Sequence, residues 1–219
     1  MLESYLEKLQ PYILELFKND YSGHDFGHLK RTMQLALYLQ QKEGGDRTII
    51  GIAALVHDMH RAMQIKEGHF VSPKDSLPKI RELLEKVALT EEQINEICYC
   101  VENHEQYNWN GNNITNINAL ILQDADNLDA IGAIGIGRIF TYCGANQMPM
   151  YDENIPLNIN SDYNEDSGND ESATHHFYHK LSKLKDNMNT ETGKILATKK
   201  HECMTNFVTS FLNEWNGIY

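Results

Sequence analysis

Ile49-Ile50-Gly51-Ile52-Ala53-Ala54-Leu55-Val56-His57-Asp58 is an apolar, helix-like run that stops on an imidazole and a carboxylate. Everything before His57 in this run is apolar or glycine, the pattern of an element buried on every side. A carboxylate at the end of such an element is costly to bury unless a cation meets it. Two readings follow. The His-Asp doublet is structural, as a buried pair or an Asp bonded to an orphan helix terminus, or it is part of a site that holds a cation.

Upstream, Gly44-Gly45-Asp46 ends a helix that the spacing predicts from near His24 and Asp25 to about Lys42. Its core stripe is Leu29, Met33, Ala36, Leu37 and Gln40, with His28 flanking it and His24 one turn earlier. Asn19-Asp20-Tyr21-Ser22-Gly23 is a turn. Before it, Leu2 to Phe17 has helical spacing, with Pro11 expected to kink the helix.

Downstream of Asp58 the chain is polar and reads as a loop through Gly68. Ser72-Pro73 starts a helix, with Ser as cap and Pro at the first helical position. Pro78 is expected to break it, leaving a helix over Lys79 to Val87. Thr90-Glu91-Glu92-Gln93 is a capping box opening a helix with Ile94, Ile97, Val101 and His104. From Glu105 to Asn116 a polar loop with exposed Tyr107 and Trp109 is expected. From Ile117 two stripes run along one helix: Leu120, Ile121, Asp124, Leu128 and Ile131, and beside them Ala119, Leu122, Asp126 and Ala130. Two acids therefore sit in apolar surroundings. Gly132, Gly135 and Gly137 follow no strand, so they read as helix-packing glycines rather than a phosphate loop. A long polar loop over about 144–172 follows, of the kind that serves as a lid. Thr174 then starts a basic helix through Lys185, and Thr190 caps a last helix ending at Gly217. Strand signals are scarce. The reading is an all-α fold in one domain spanning residues 1–219.

The chain has 219 residues, 41% of them apolar, enough for a sizeable core. A net charge of −12 argues against nucleic acid and anionic membranes as partners. Over half of that charge lies between Arg138 and Lys180, where Asp152, Glu153, Asp162, Glu165, Asp166, Asp170 and Glu171 meet no Lys or Arg. No charged leader precedes an apolar core, and no run is long enough to span a membrane. Cys98 and Cys100 fall on different helix faces, and with Cys143 and Cys203 they suggest neither a zinc site nor a disulfide framework. The expectation is a soluble, cytoplasmic protein with reduced thiols.

His28, His57, Asp58 and Asp126 are the candidate metal ligands, each on or beside an apolar helical face and drawn from three helices. Two imidazoles and two carboxylates suit a divalent ion such as Mn²⁺, Fe²⁺ or Co²⁺, with Mg²⁺ also in range. Such an ion supplies the charge that Asp58 and Asp126 need.

Three segments carry a family resemblance: His24-Asp25-Phe26-Gly27-His28, Leu55-Val56-His57-Asp58, and Gln123-Asp124-Ala125-Asp126-Asn127-Leu128-Asp129-Ala130. A His, then a His-Asp doublet, then a later Asp resembles the HD-domain metal-dependent phosphohydrolase superfamily. The segment Gln123 to Gly137 and the pattern His176-Phe177…Lys180-Leu181…Leu184…Met188…Thr190 are similar to a small bacterial branch of it. The resemblance implies a helical HD-domain bundle, a metal on those four residues, and phosphoester or phosphoanhydride hydrolysis. Members of the branch include nucleoside triphosphate pyrophosphohydrolases, so the implied substrate is a small phosphorylated molecule, by resemblance a nucleotide. It also implies Asp126 rather than Asp124 as ligand, with Asp124 orienting a ligand imidazole.

One departure stands out. Many members carry an acid three residues after the doublet's Asp, as base or second-metal ligand; here that position is Arg61. This puts a two-metal site in doubt, and Arg61 is either a phosphate clamp or a surface arginine. His104 is a candidate acid, base or phosphate contact, or else a structural helix-end His. Lys180, Lys183 and Lys185 either contact phosphates or form a solvated face. The alternatives to a nucleotide hydrolase are a phosphomonoesterase or phosphodiesterase on the same scaffold, and a non-catalytic metal- or nucleotide-binding regulator.

Overall fold

A computed structural model describes residues 2–107, 113–157 and 172–218. Among them there is no strand, and the fold is all α. The helices are α1 (Leu2–Phe17), α2 (Phe26–Glu43), α3 (Arg47–Val56), α4 (Met59–Glu67), α5 (Pro73–Glu85), α6 (Glu91–Asn103), α7 (Ile117–Asp129), α8 (Gly132–Ala145), α9 (Ala173–His179) and α10 (Glu191–Trp215), with a 3₁₀ segment at Leu181–Asn187. No helix among the described residues is long and apolar enough to cross a membrane.

The quoted run is the centre of the bundle. Ile49 through Val56 are all buried, because α3 packs against α1, α2, α6 and α7. Asp46 starts it by accepting from the backbone N–H groups of Thr48 and Ile49. Thr90 and Gln93 form the expected capping box of α6, and Ser72 with Asp75 forms another on α5.

Several local expectations give way. Met59–Glu67 is a helix, not a loop: Met, Arg, Ala, Gln, Lys and Glu are good helix formers, and Met59, His60 and Ala62 are buried. Gly68 stops it in the left-handed region at φ 73°. Helix α5 runs unbroken through Pro78, since burial of Ile80, Leu83 and Leu84 outweighs one lost backbone bond. Helix α1 likewise continues through Pro11. In α2, Leu39 is buried and Leu37 only half-buried. Tyr107 is buried, with the Lys180 ammonium 5.0 Å above its ring; Trp109 lies outside the described residues. Ser172, not Thr174, caps α9, and the basic run divides into α9 and the 3₁₀ segment. The long polar stretch starts after α8 ends at Ala145, and 158–171 fall outside the described residues.

The glycines divide. A Cβ on Gly135 would lie 2.2 Å from the Ala130 carbonyl oxygen, so α8 packs there too closely for any other residue. Gly132 takes φ 79° as the chain turns from α7 into α8 against Lys200. Gly137 faces open space, and the packing reading fails for it.

Candidate metal centre

Two histidines are aimed by the same device. The last carbonyls of a helix have no intrahelical donor. At the end of α3, His57 Nδ1 donates to the Ala54 carbonyl at 2.9 Å. At the end of α6, His104 Nδ1 donates to the Val101 carbonyl at 2.7 Å. Each bond uses the Nδ1 proton and leaves Nε2 pointing into the bundle. His28 is held differently. Asp25 caps α2 by accepting from the His28 backbone N–H at 2.8 Å, and Asp129 Oδ2 lies 2.8 Å from His28 Nδ1. Asp25 thereby serves the helix start, and His24 lies against the rings of His28 and Tyr142.

The four sequence-designated ligands converge. His28 Nε2 lies 3.2 Å from His57 Nε2 and 3.3 Å from both Asp58 Oδ2 and Asp126 Oδ1. His57 Nε2 lies 3.7 Å from Asp58 Oδ2 and 3.6 Å from Asp126 Oδ1. His28, His57 and Asp58 are buried, whereas the Asp126 side chain is 22% exposed and marks the open side. Asp58 Oδ2 and His104 Nε2 are buried yet make no hydrogen bond. Buried polar atoms left this way carry a penalty of roughly 1–3 kcal/mol each. The atoms face a common space rather than one another, and two Nε2 lone pairs with two carboxylate oxygens fit a divalent ion.

Charge works in the same direction. Burial acts against protonation of His28, and Arg138 adds to it, but Asp126, Asp129 and Asp58 together raise its pKa to about 10. Burial would raise the Asp58 carboxyl, yet His57 and Arg61 beside it hold it well below the usual range. Asp126 is held low by His28 and His57 against the same burial. Without metal, His28 therefore keeps a proton through neutral pH, and a metal on Nε2 must displace it. Mn²⁺ affinity is expected to rise about tenfold per pH unit across the neutral range, one proton leaving per ion. Calorimetric titrations at several pH values check this, and a pH-independent affinity would contradict it.

Arg61 and His104 join the cluster. The Arg61 Nε donates to Asp58 Oδ1 at 3.1 Å, and its Nη2 donates to Glu105. His104 Nε2 lies 3.7 Å from Asp58 Oδ1. Burial opposes the charge on His104, but Asp58, Glu105 and Asp126 raise its pKa to about 9.

Asp124 is not brought into the cluster. Residues two apart on a helix face nearly opposite ways, so Asp126 faces the imidazoles while Asp124 faces α10. There it accepts from the backbone N–H groups of Asn189 and Thr190 at 2.8 and 2.7 Å, and from the Thr190 hydroxyl at 2.7 Å. Orienting a ligand imidazole falls instead to Asp129, which also accepts from Arg31 and Arg138. Its position three residues after Asp126 on the same helix face was a usable signal. Glu105 and His60 carried none. Asp124→Ala is expected to cost about 2–4 kcal/mol by stripping the α10 start of its acceptor. A lowered melting temperature with unchanged Mn²⁺ content checks it; lost Mn²⁺ at unchanged stability would refute it.

The HD domain family model matches residues 25–131, which contain all four converging ligands. The uncharacterised protein YpgQ of Bacillus subtilis is 31% identical over 214 residues, covering 97% of this chain and 94% of that one. This chain belongs to the HD superfamily. A solved HD-superfamily hydrolase from Bacillus thuringiensis is 34% identical, with a TM-score of 0.73 over 99% of each chain. A Lactobacillus plantarum structure is 31% identical with a TM-score of 0.82 over 98% of each chain. YpgQ solved in complex with ADP is 29% identical, with a TM-score of 0.72 over 95% of this chain and 96% of that one. The HD pattern therefore accounts for the helical fold, for the doublet at the end of α3, and for a His/Asp cluster able to hold a divalent ion.

Proposed function

We propose that this HD chain is a metal-dependent phosphohydrolase acting on nucleotides, with the ion held by His28, His57, Asp58 and Asp126. The observation that carries the reading is the convergence of those four side chains around the unbonded Asp58 Oδ2. The ADP held by the YpgQ relative supports a nucleotide ligand. A divalent ion in this position supplies Lewis-acid polarisation of a phosphoryl group and lowers the pKa of attacking water.

The chain's own residues supply the rest. Asp126 and Arg61 border the open side, where a phosphate chain enters. The Arg61 guanidinium presents fork-like donors suited to phosphate oxygens. His104, protonated at neutral pH and with Nε2 free of hydrogen bonds, is the proton donor to a leaving oxygen. The engagement of Arg61 with Asp58 and Glu105 also favours a second reading: a nucleotide-binding regulator without turnover.

A phosphate and pyrophosphate release screen separates the two readings. It covers nucleoside mono-, di- and triphosphates with Mn²⁺, Co²⁺ and Mg²⁺. Metal-dependent release that Asp58→Ala abolishes supports the hydrolase. Nucleotide binding without release, from protein that retains metal, supports the regulator.

A further inference from the structure

The two oxygens of Asp58 face different partners. Oδ2 faces His28 and His57, while Oδ1 faces Arg61 at 3.1 Å and His104 at 3.7 Å. Around Oδ1 lies a second donor set. Asp58, His60 and His104 offer atoms within 4.8 Å of one another, and Glu105 Oε1 lies 3.7 Å from His60 Nε2. A carboxylate that directs one oxygen to each of two cations is the usual bridge of a two-metal site. Here the second position is already taken. The guanidinium of Arg61 spans Asp58 and Glu105, the two carboxylates on that side.

We propose that Arg61 is a built-in cation that takes the place of a second metal ion, and that Asp58 Oδ1, His60, His104 and Glu105 form a latent second metal site exposed only when Arg61 is removed. The inference rests on the metal centre proposed above. Charge balance supports it. Asp58, Asp126 and Glu105 bring three negative charges, which one divalent ion and Arg61 already match before the proton on His104 is counted. A further divalent ion beside the guanidinium would add two uncompensated positive charges in a largely buried site. Removing the guanidinium reverses the balance, leaving Glu105 unpaired beside two imidazoles.

The test counts metal. Wild-type protein, Arg61→Ala and Arg61→Lys are stripped with chelator, loaded with Mn²⁺ alone, desalted and analysed for metal per chain and by electron paramagnetic resonance. Wild type and Arg61→Lys are expected to hold about one ion per chain, with the spectrum of isolated Mn²⁺. Arg61→Ala is expected to hold about two, with the spectrum of an exchange-coupled pair. Adding His60→Ala to Arg61→Ala is expected to return the count to about one. Should Arg61→Ala fail to fold, Arg61→Gln keeps much of the side chain's length while removing its charge, and carries the same expectation. Two ions in wild type, or one in a folded Arg61→Ala or Arg61→Gln, would overturn the proposal while leaving the metal centre standing. No ion in wild type would overturn both.

Discussion

Asp58→Ala is expected to remove both the metal binding and the phosphohydrolase turnover proposed for this chain while leaving the helical content unchanged. Asp58 faces both the imidazole pair and Arg61. Losing a residue that merely orients a ligating histidine costs roughly 10- to 100-fold in metal affinity. Losing a charged ligand costs more, because His28, His57 and Asp126 then carry a divalent ion with one carboxylate. Stability moves less. Arg61 keeps Glu105 as its partner and is a third exposed, so water screens what is lost. Metal analysis and phosphate release on the same preparation check this. Full turnover by Asp58→Ala would place the chemistry elsewhere in the molecule.

The second large effect is expected at Asp129. This carboxylate, 2% exposed, holds His28 Nδ1 at 2.8 Å and takes hydrogen bonds from Arg31 and Arg138. Burial would raise its pKa, but His28 and Arg31 hold it well below the ordinary range. Asp129→Ala frees the His28 ring to turn and leaves two guanidinium groups without their shared partner. Metal affinity is expected to fall about 10- to 100-fold. Stability is expected to fall by about 3 kcal/mol, the low end for breaking a buried pair, since Arg31 reaches solvent. The depressed pKa carries a sign. The contribution of Asp129 is present above the unfolded carboxylate pKa near 3.9 and is lost as pH falls through the lower folded value. The wild-type protein should therefore lose stability on acidification more steeply than Asp129→Ala. Chemical denaturation at neutral and acidic pH tests this, and parallel pH profiles would remove Asp129 from the account.

These two carboxylates show how differently site residues announce themselves. Asp58 is conspicuous because a charge ends an apolar run, a cost visible in one dimension. Asp129 is one of three acids within six residues, and the choice among them depends on what each face of α7 meets. Asp126 meets the imidazoles, Asp129 meets His28 and two arginines, and Asp124 meets the start of α10. The resemblance to HD enzymes assigned Asp126 to the metal. It also assigned imidazole orientation to Asp124, where the fold gives that task to Asp129.

Arg61 makes the same point. In the sequence it is an exception to a family pattern, open to a clamp or a surface role. In the fold it lies between Asp58 and Glu105, a carboxylate 44 residues later with no local signal linking it to the doublet. Tyr107 departs from its sequence expectation for a related reason: its polar neighbours suggest exposure, while Lys180, far along the chain, sits over its ring.

By itself the sequence determined that the chain is helical and that α3 is its buried axis, and its resemblance to HD enzymes pointed to His28, His57, Asp58 and Asp126 as the side chains to hold a divalent ion. The first two follow from periodicity, capping residues and the cost of burying charge, which act over one or two helical turns. Only the tertiary structure decided that α5 survives Pro78, that Asp124 ties down α10, and that Arg61 bridges two acids. Those outcomes depend on which surfaces meet after the helices pack. A proline within a helical pattern, or a charge with two possible partners, is settled by contacts that span tens of residues.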